Sequence, residues 1–91
     1  MIDRPSWDSY FLDMAALAST RSPDEQTKCG CVIVDKQNKI LSQGYNGFPR
    51  GLNDEELPTT RPDKYPWMIH AEVDALLNCN ASLHKAKAYI T

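Results

Sequence analysis

The sequence has little of several things that would narrow its function at once. It has no long apolar run: Cys31-Val32-Ile33-Val34 is among the longest, and that is strand-sized, so no membrane span is expected. Its start, Met1-Ile2-Asp3-Arg4-Pro5, lacks the basic opening and apolar core of a signal peptide. There is no excess of positive charge, with ten basic against twelve acidic residues and a net charge of −2. Bulk attraction to nucleic acid or to an anionic membrane is therefore not expected, although a local patch could hold a phosphate. Cysteine is scarce and odd in number, and Cys29 and Cys31 are too close to bond each other comfortably, which excludes a disulfide scaffold. Internal repeats and low-complexity tracts are absent. A soluble cytoplasmic domain is the expectation.

What is present fits one small domain spanning residues 1–91, at 42% hydrophobic and 24% charged. A chain this short buries only about 60–65% of its unfolded surface, so it is expected to lean on a metal, a partner or further chain.

Ser6 reads as a helix N-cap, with Asp8 favouring the positive helix end. Trp7, Tyr10, Phe11, Met14, Leu17 and Ala18 recur at spacings of three and four, which predicts an amphipathic helix over about 6–20, stopped by Ser22-Pro23-Asp24. Residues 29–35 read as a buried strand, 35–38 as a polar turn and 39–45 as a second strand, forming an antiparallel hairpin. Residues 48–68 carry Pro49, Pro58, Pro62 and Pro66, which exclude a continuous helix; the stretch is either functional or a spacer. A second helix is expected over 70–80, with Val73, Leu76 and Leu77 as its apolar face, then a third strand over 87–91. The order α-β-β-α-β implies an α/β fold with a mixed sheet covered by helices.

The most informative stretch is Tyr65-Pro66-Trp67-Met68-Ile69-His70-Ala71-Glu72, where a proline-bounded loop delivers a His and then a Glu into the first turn of a helix. Residues two apart on a helix point about 200° apart, so both meet one object only if it sits beyond the N-terminus. That arrangement suits a metal-activated water: imidazole ligates, carboxylate handles protons, and the helix dipole faces the anion. His-x-Glu is the first half of the zinc deaminase signature, whose second half is Pro-Cys-x-x-Cys. Taken by itself, a His in this position is more often a capping or packing residue.

The surrounding residues come in a recognisable order. Ser6-Trp7-Asp8-x-Tyr10-Phe11 is followed by Arg21-Ser22-x-Asp24 and Thr27-x-x-Gly30-Cys31-Val32-Ile33-Val34. Then come Gly44-Tyr45-Asn46-Gly47-Phe48-Pro49-Arg50-Gly51, Lys64-Tyr65-Pro66 and His70-Ala71-Glu72-Val73-Asp74-Ala75. From about Ser6 to Thr91 the chain resembles the deoxycytidylate (dCMP) deaminases of the cytidine deaminase-like superfamily.

The resemblance implies a cytidine deaminase-like fold, cut after the third strand, and hydrolytic deamination of dCMP to dUMP with zinc as cofactor. It implies that His70 is a zinc ligand, that Glu72 is the proton shuttle, that the Ala71 backbone meets the base and that Asn46 contacts the sugar. Arg21 is a candidate for the 5′-phosphate, and Arg50, Arg61 and Lys64 on the long proline-bearing stretch are others; each could instead be a solvated surface cation. Asp74, where the family usually has Asn, could hydrogen-bond His70 or simply be a polar surface residue. Leu52, where some members have a cysteine, implies no second metal. The family's two cysteine ligands belong just beyond Thr91, so the sequence supplies one zinc ligand and the acid/base. Cys79 is expected to face away from His70, Cys29 and Cys31 to be packing residues, and His84 to be exposed. Homo-oligomerisation is expected. Two alternatives stand beside this reading: a non-catalytic deaminase-like fragment that folds or binds nucleotide only as an oligomer, and a deaminase of another nucleoside or nucleotide.

Overall fold

The computed structural model describes residues 3–48 and 69–91. Five elements follow one another in the expected order: α1 (Trp7–Ser19), β1 (Gly30–Val34), β2 (Ile40–Tyr45), α2 (Ala71–Leu77) and β3 (Lys87–Ile90). The proline-bearing stretch, with Leu52, Arg50, Arg61 and Lys64, lies outside the described residues from position 49 to 68.

α1 begins where the sequence places it. Ser6 adopts an extended backbone and its hydroxyl accepts the Ser9 N–H at 3.2 Å, satisfying one of the orphan donors of the first turn. The helix ends at the C-cap Thr20, three residues before Pro23. Asp35 closes the hairpin turn: its Oδ1 accepts the N–H groups of Gln37 and Lys39, and Asn38 takes the left-handed conformation that the turn requires. These bonds to backbone N–H, that from Lys39 first, hold the Asp35 carboxyl below its usual range.

The sheet has the order β2-β1-β3, and β1 pairs antiparallel with both neighbours. The mixed sheet expected from the sequence is narrowed here, because both pairings among the described strands are antiparallel. The register runs from Gly30↔Tyr45 to Val34↔Ile40 on one side and from Cys31↔Ile90 to Val34↔Lys87 on the other.

β1 is buried along its whole length, and its alternation divides the core in two. Val32 and Val34 face α1 with Phe11 and Ala15, and Met14 and Tyr89 pack at the margin. Cys31 and Ile33 face α2 with Ala71 and Ala75, flanked by Cys29, Leu41 and Ala86. One helix therefore covers each sheet face. Both dock closely: a Cβ at Gly30 would collide with the Ala15 carbonyl oxygen, and one at Gly44 would collide with the Ala75 nitrogen and lie 2.6 Å from the Ala71 oxygen.

Two helix faces differ from expectation. On α1 the buried residues are Phe11, Ala15 and Ala18, while Trp7, Tyr10 and Leu17 are exposed. α2 is shorter than the expected 70–80, and it buries Ala71 and Ala75 while Val73, Leu76 and Leu77 face outward. The close approach to glycine explains the second case, because only alanine-sized side chains fit between helix and strand at that separation.

Candidate active site

Two short hydrogen-bonded segments build the site. Gly47, just past β2, forms an isolated antiparallel bridge with Ile69, with the Gly47 N–H donating to the Ile69 oxygen at 3.0 Å. That bridge sets Asn46-Gly47 beside the entrance to α2. The next residue, His70, is the N-cap of α2 in an extended conformation, and its side chain makes no capping bond. Its imidazole is 83% exposed, and its Nδ1 lies 4.0 Å from Oε1 of Glu72, itself about half exposed.

His70 is thus not inside the first turn, as the sequence suggested, but one residue before it. The extended backbone lets it converge with Glu72 although two residues of one helix would diverge. Ala71, between them, is buried and packs its backbone over Gly44. The His70 side chain neither makes a capping bond nor enters the core.

Asn46 is tightly engaged. Its Oδ1 accepts the Cys29 N–H at 2.8 Å, and its Nδ2 donates to the Thr27 carbonyl at 2.8 Å and lies 3.4 Å from Asp24 Oδ2. Pro23 comes close to Gly47, so the 22–24 loop lies along the Asn46-Gly47 segment. Arg21 is exposed at the start of that loop, its backbone N–H bonded to the Ala18 oxygen.

Asp74 is tied to the end of β2. Its Oδ2 accepts the Tyr45 N–H at 3.2 Å and its Oδ1 an amide hydrogen of Asn78 at 3.4 Å, which fastens α2 to the end of β2. Cys31 is fully buried behind Glu72; burial pushes its thiol up, and the nearby Glu72 charge adds to the shift. A thiol held neutral in this way is a packing residue. All three cysteines are free, with Cys79 beyond α2 donating to the Ala81 oxygen, and His84 is exposed.

The sequence pattern marks Asp24 only as part of the helix stop and does not single out Ser42. The buried Ser42 hydroxyl donates to the Ala75 oxygen at 2.7 Å, a second tie between α2 and β2. A serine in mid-strand, between Leu41 and Gln43, gives little warning of this. For Asp24 the signal was the run Ser22-Pro23-Asp24-x-x-Thr27, in which an Asp can accept the N–H groups two and three residues on.

The profile of the family described as the cytidine and deoxycytidylate deaminase zinc-binding region matches residues 5–91. The chain belongs to this family. It is 40% identical over 86 residues to deoxycytidylate deaminase of Homo sapiens, covering 88% of this chain and 48% of the human protein. A probable deoxycytidylate deaminase of Caenorhabditis elegans is 43% identical over 86 residues, covering 89% of this chain and 44% of that one. The chain spans about half the length of the curated relatives it matches. The crystal structure of dCMP deaminase from the cyanophage S-TIM5 in apo form superposes with a TM-score of 0.77 at 26% identity, covering 98% of this chain and 68% of that one. The same phage enzyme in complex with dCMP and dUMP gives 0.74.

The family is described as zinc-binding. Among the described residues, however, no group of three His, Cys, Asp or Glu side chains could hold a metal ion. His70 would be one ligand of the three that such a site takes from protein. No helix among the described residues is long and apolar enough to cross a membrane.

Proposed function

We propose that this domain carries out zinc-dependent hydrolytic deamination of dCMP to dUMP, within pyrimidine nucleotide metabolism. The observation that carries the proposal is the convergence of the His70 imidazole and the Glu72 carboxylate, 4.0 Å apart and open to solvent, beside the Asn46-Gly47 segment. Relatives named as deoxycytidylate deaminases support the substrate, as does a structural neighbour solved with dCMP and dUMP.

In this reading His70 would be one of the residues that hold zinc, which when bound would supply an activated water. Glu72 would take one proton from the attacking water and place it on N3 of the cytosine ring, then pass the proton left on the incoming oxygen to the departing amino group. The C4–N bond breaks as the new C4–O bond becomes a carbonyl, so water is consumed and ammonia leaves. Glu72 suits the task because its half-exposed carboxylate faces the same open side as His70. The Ala71 backbone meets the base, Asn46 contacts the sugar and Arg21 is the candidate for the 5′-phosphate. Residues 1–91 act as one deaminase-like domain. A cytoplasmic location is supported by the free cysteines, and homo-oligomeric assembly by the exposed Val73, Leu76 and Leu77. The net charge of −2 argues against nucleic acid or membrane as a partner.

A second reading stands beside it, a non-catalytic deaminase-like domain that folds or binds nucleotide only as an oligomer, which the exposed Val73, Leu76 and Leu77 would suit. Zinc content and Glu72→Gln separate the two. Catalysis predicts about one zinc per chain and a turnover that Glu72→Gln lowers by about 10²–10⁴-fold with the zinc retained. Loss of zinc together with activity would make Glu72 structural. Nucleotide binding with neither zinc nor turnover would establish the second reading.

A further inference from the structure

Among the described residues Asp24 is the one acidic side chain buried in the fold, at 2% exposure. Its Oδ1 accepts the N–H groups of Gln26 at 2.8 Å and Thr27 at 3.0 Å, which shapes the turn leading into β1. That turn aims the Thr27 carbonyl at Nδ2 of Asn46, 2.8 Å away, and Asp24 Oδ2 stands 3.4 Å from the same nitrogen. Ser22 adds a brace from the other side, its hydroxyl accepting the Asp24 N–H at 3.2 Å.

The consequence for Asn46 is a fixed amide orientation. Both hydrogens of its NH₂ point at acceptors, and one lone pair of its Oδ1 takes the Cys29 N–H. Turning the amide over would set NH₂ against the Cys29 N–H and the oxygen against two acceptors. What remains to Asn46, among the described residues, is the second lone pair of Oδ1.

We propose that Asp24 is a positioning residue, which holds the Asn46 amide so that it offers a nucleotide an acceptor only. The proposal rests on the reading of Asn46 as a sugar contact given above. A hydroxyl-bearing sugar satisfies that acceptor, and a sugar without the hydroxyl leaves it unmet. Asp24 acts along two routes, directly at Nδ2 and through the turn that places the Thr27 carbonyl.

The test compares the full chain with Asp24→Ala, Asp24→Asn and Asn46→Ala. The first removes both routes, whereas the second keeps a turn acceptor and sets a donor against Nδ2. Binding of dCMP is measured against its 2′,3′-dideoxy analogue, and the Asn46 side-chain amide is followed by ¹⁵N NMR. The wild-type chain should favour dCMP by about tenfold, the scale of one good hydrogen bond. Both Asp24 variants should bring that ratio close to one and shift the Asn46 amide signals. Asp24→Ala should cost nothing further in an Asn46→Ala background. An unchanged ratio, with or without shifted signals, overturns the proposal, as does additive loss in the double variant. If the wild-type chain binds no nucleotide, the functional reading fails. The NMR result then decides the Asp24–Asn46 link: slow exchange of the Asn46 amide hydrogens in the wild type and its loss in Asp24→Asn uphold it, and equal exchange overturns it.

Discussion

Cys31 and Asp24 are both buried beside the site, and both owe their character to surroundings that the chain assembles from distant positions. Burial raises the Cys31 thiol above its ordinary range, with Glu72 adding to the effect. An acid whose folded value is raised favours the folded state fully below its unfolded value, about 8.5 for cysteine. That contribution is lost as pH rises through the folded value, because the unfolded chain ionises first. We therefore expect Cys31 to be the slowest of the three cysteines to alkylate in the native state at pH 8, read by mass spectrometry of tryptic peptides. Stability should fall as the pH is taken above about 9, and Cys31→Ala should flatten that fall. His70 and Glu72 were legible as a pair because His-x-Glu is a spacing with a chemical reason. Asp24 was not, since Asp after Pro is also an ordinary surface turn; only its burial and its reach to Asn46 distinguish it.

At the scale of elements, the misreading of α2 is instructive. A pattern weighted toward large side chains selects Val73, Leu76 and Leu77, but the helix docks through Ala71 and Ala75, one turn apart on the same face. Gly44 makes this possible by letting the helix backbone approach β2 directly. Two hydrogen bonds then fasten it to β2, from the Ser42 hydroxyl to the Ala75 oxygen and from the Tyr45 N–H to Asp74. Gly44→Ala should therefore push α2 off the sheet, at a cost of about 1–3 kcal/mol by overpacking. For a domain of this length each kcal/mol lowers Tm by about 4–8 °C, so a thermal melt resolves it. A variant melting within a degree of wild type would show that α2 slides without penalty. The N-terminal boundary of α1 was easier, because Ser6 caps through its own side chain and needs no tertiary partner.

Across the whole molecule, β1 is the structural centre: it pairs with a strand on each side and carries one half of the core on each face. Native-state hydrogen exchange should find its amides the slowest to exchange, with β3, exposed along most of its length, clearly faster. Equal protection in β1 and β3 would contradict that ordering. Element order, the hairpin and its turn, the α1 cap and the His70–Glu72 motif were all determined by the sequence alone. Each depends on residues close together in the chain, where propensity, turn chemistry and spacing act directly. The tertiary structure decided which helix faces are buried, that His70 stands before α2 instead of within it, and that Asp74 serves β2. It also decided that Asp24 grips Asn46, twenty-two positions away. Those outcomes depend on how closely backbones approach and which buried polar groups find partners, and both are settled only when the distant segments pack together.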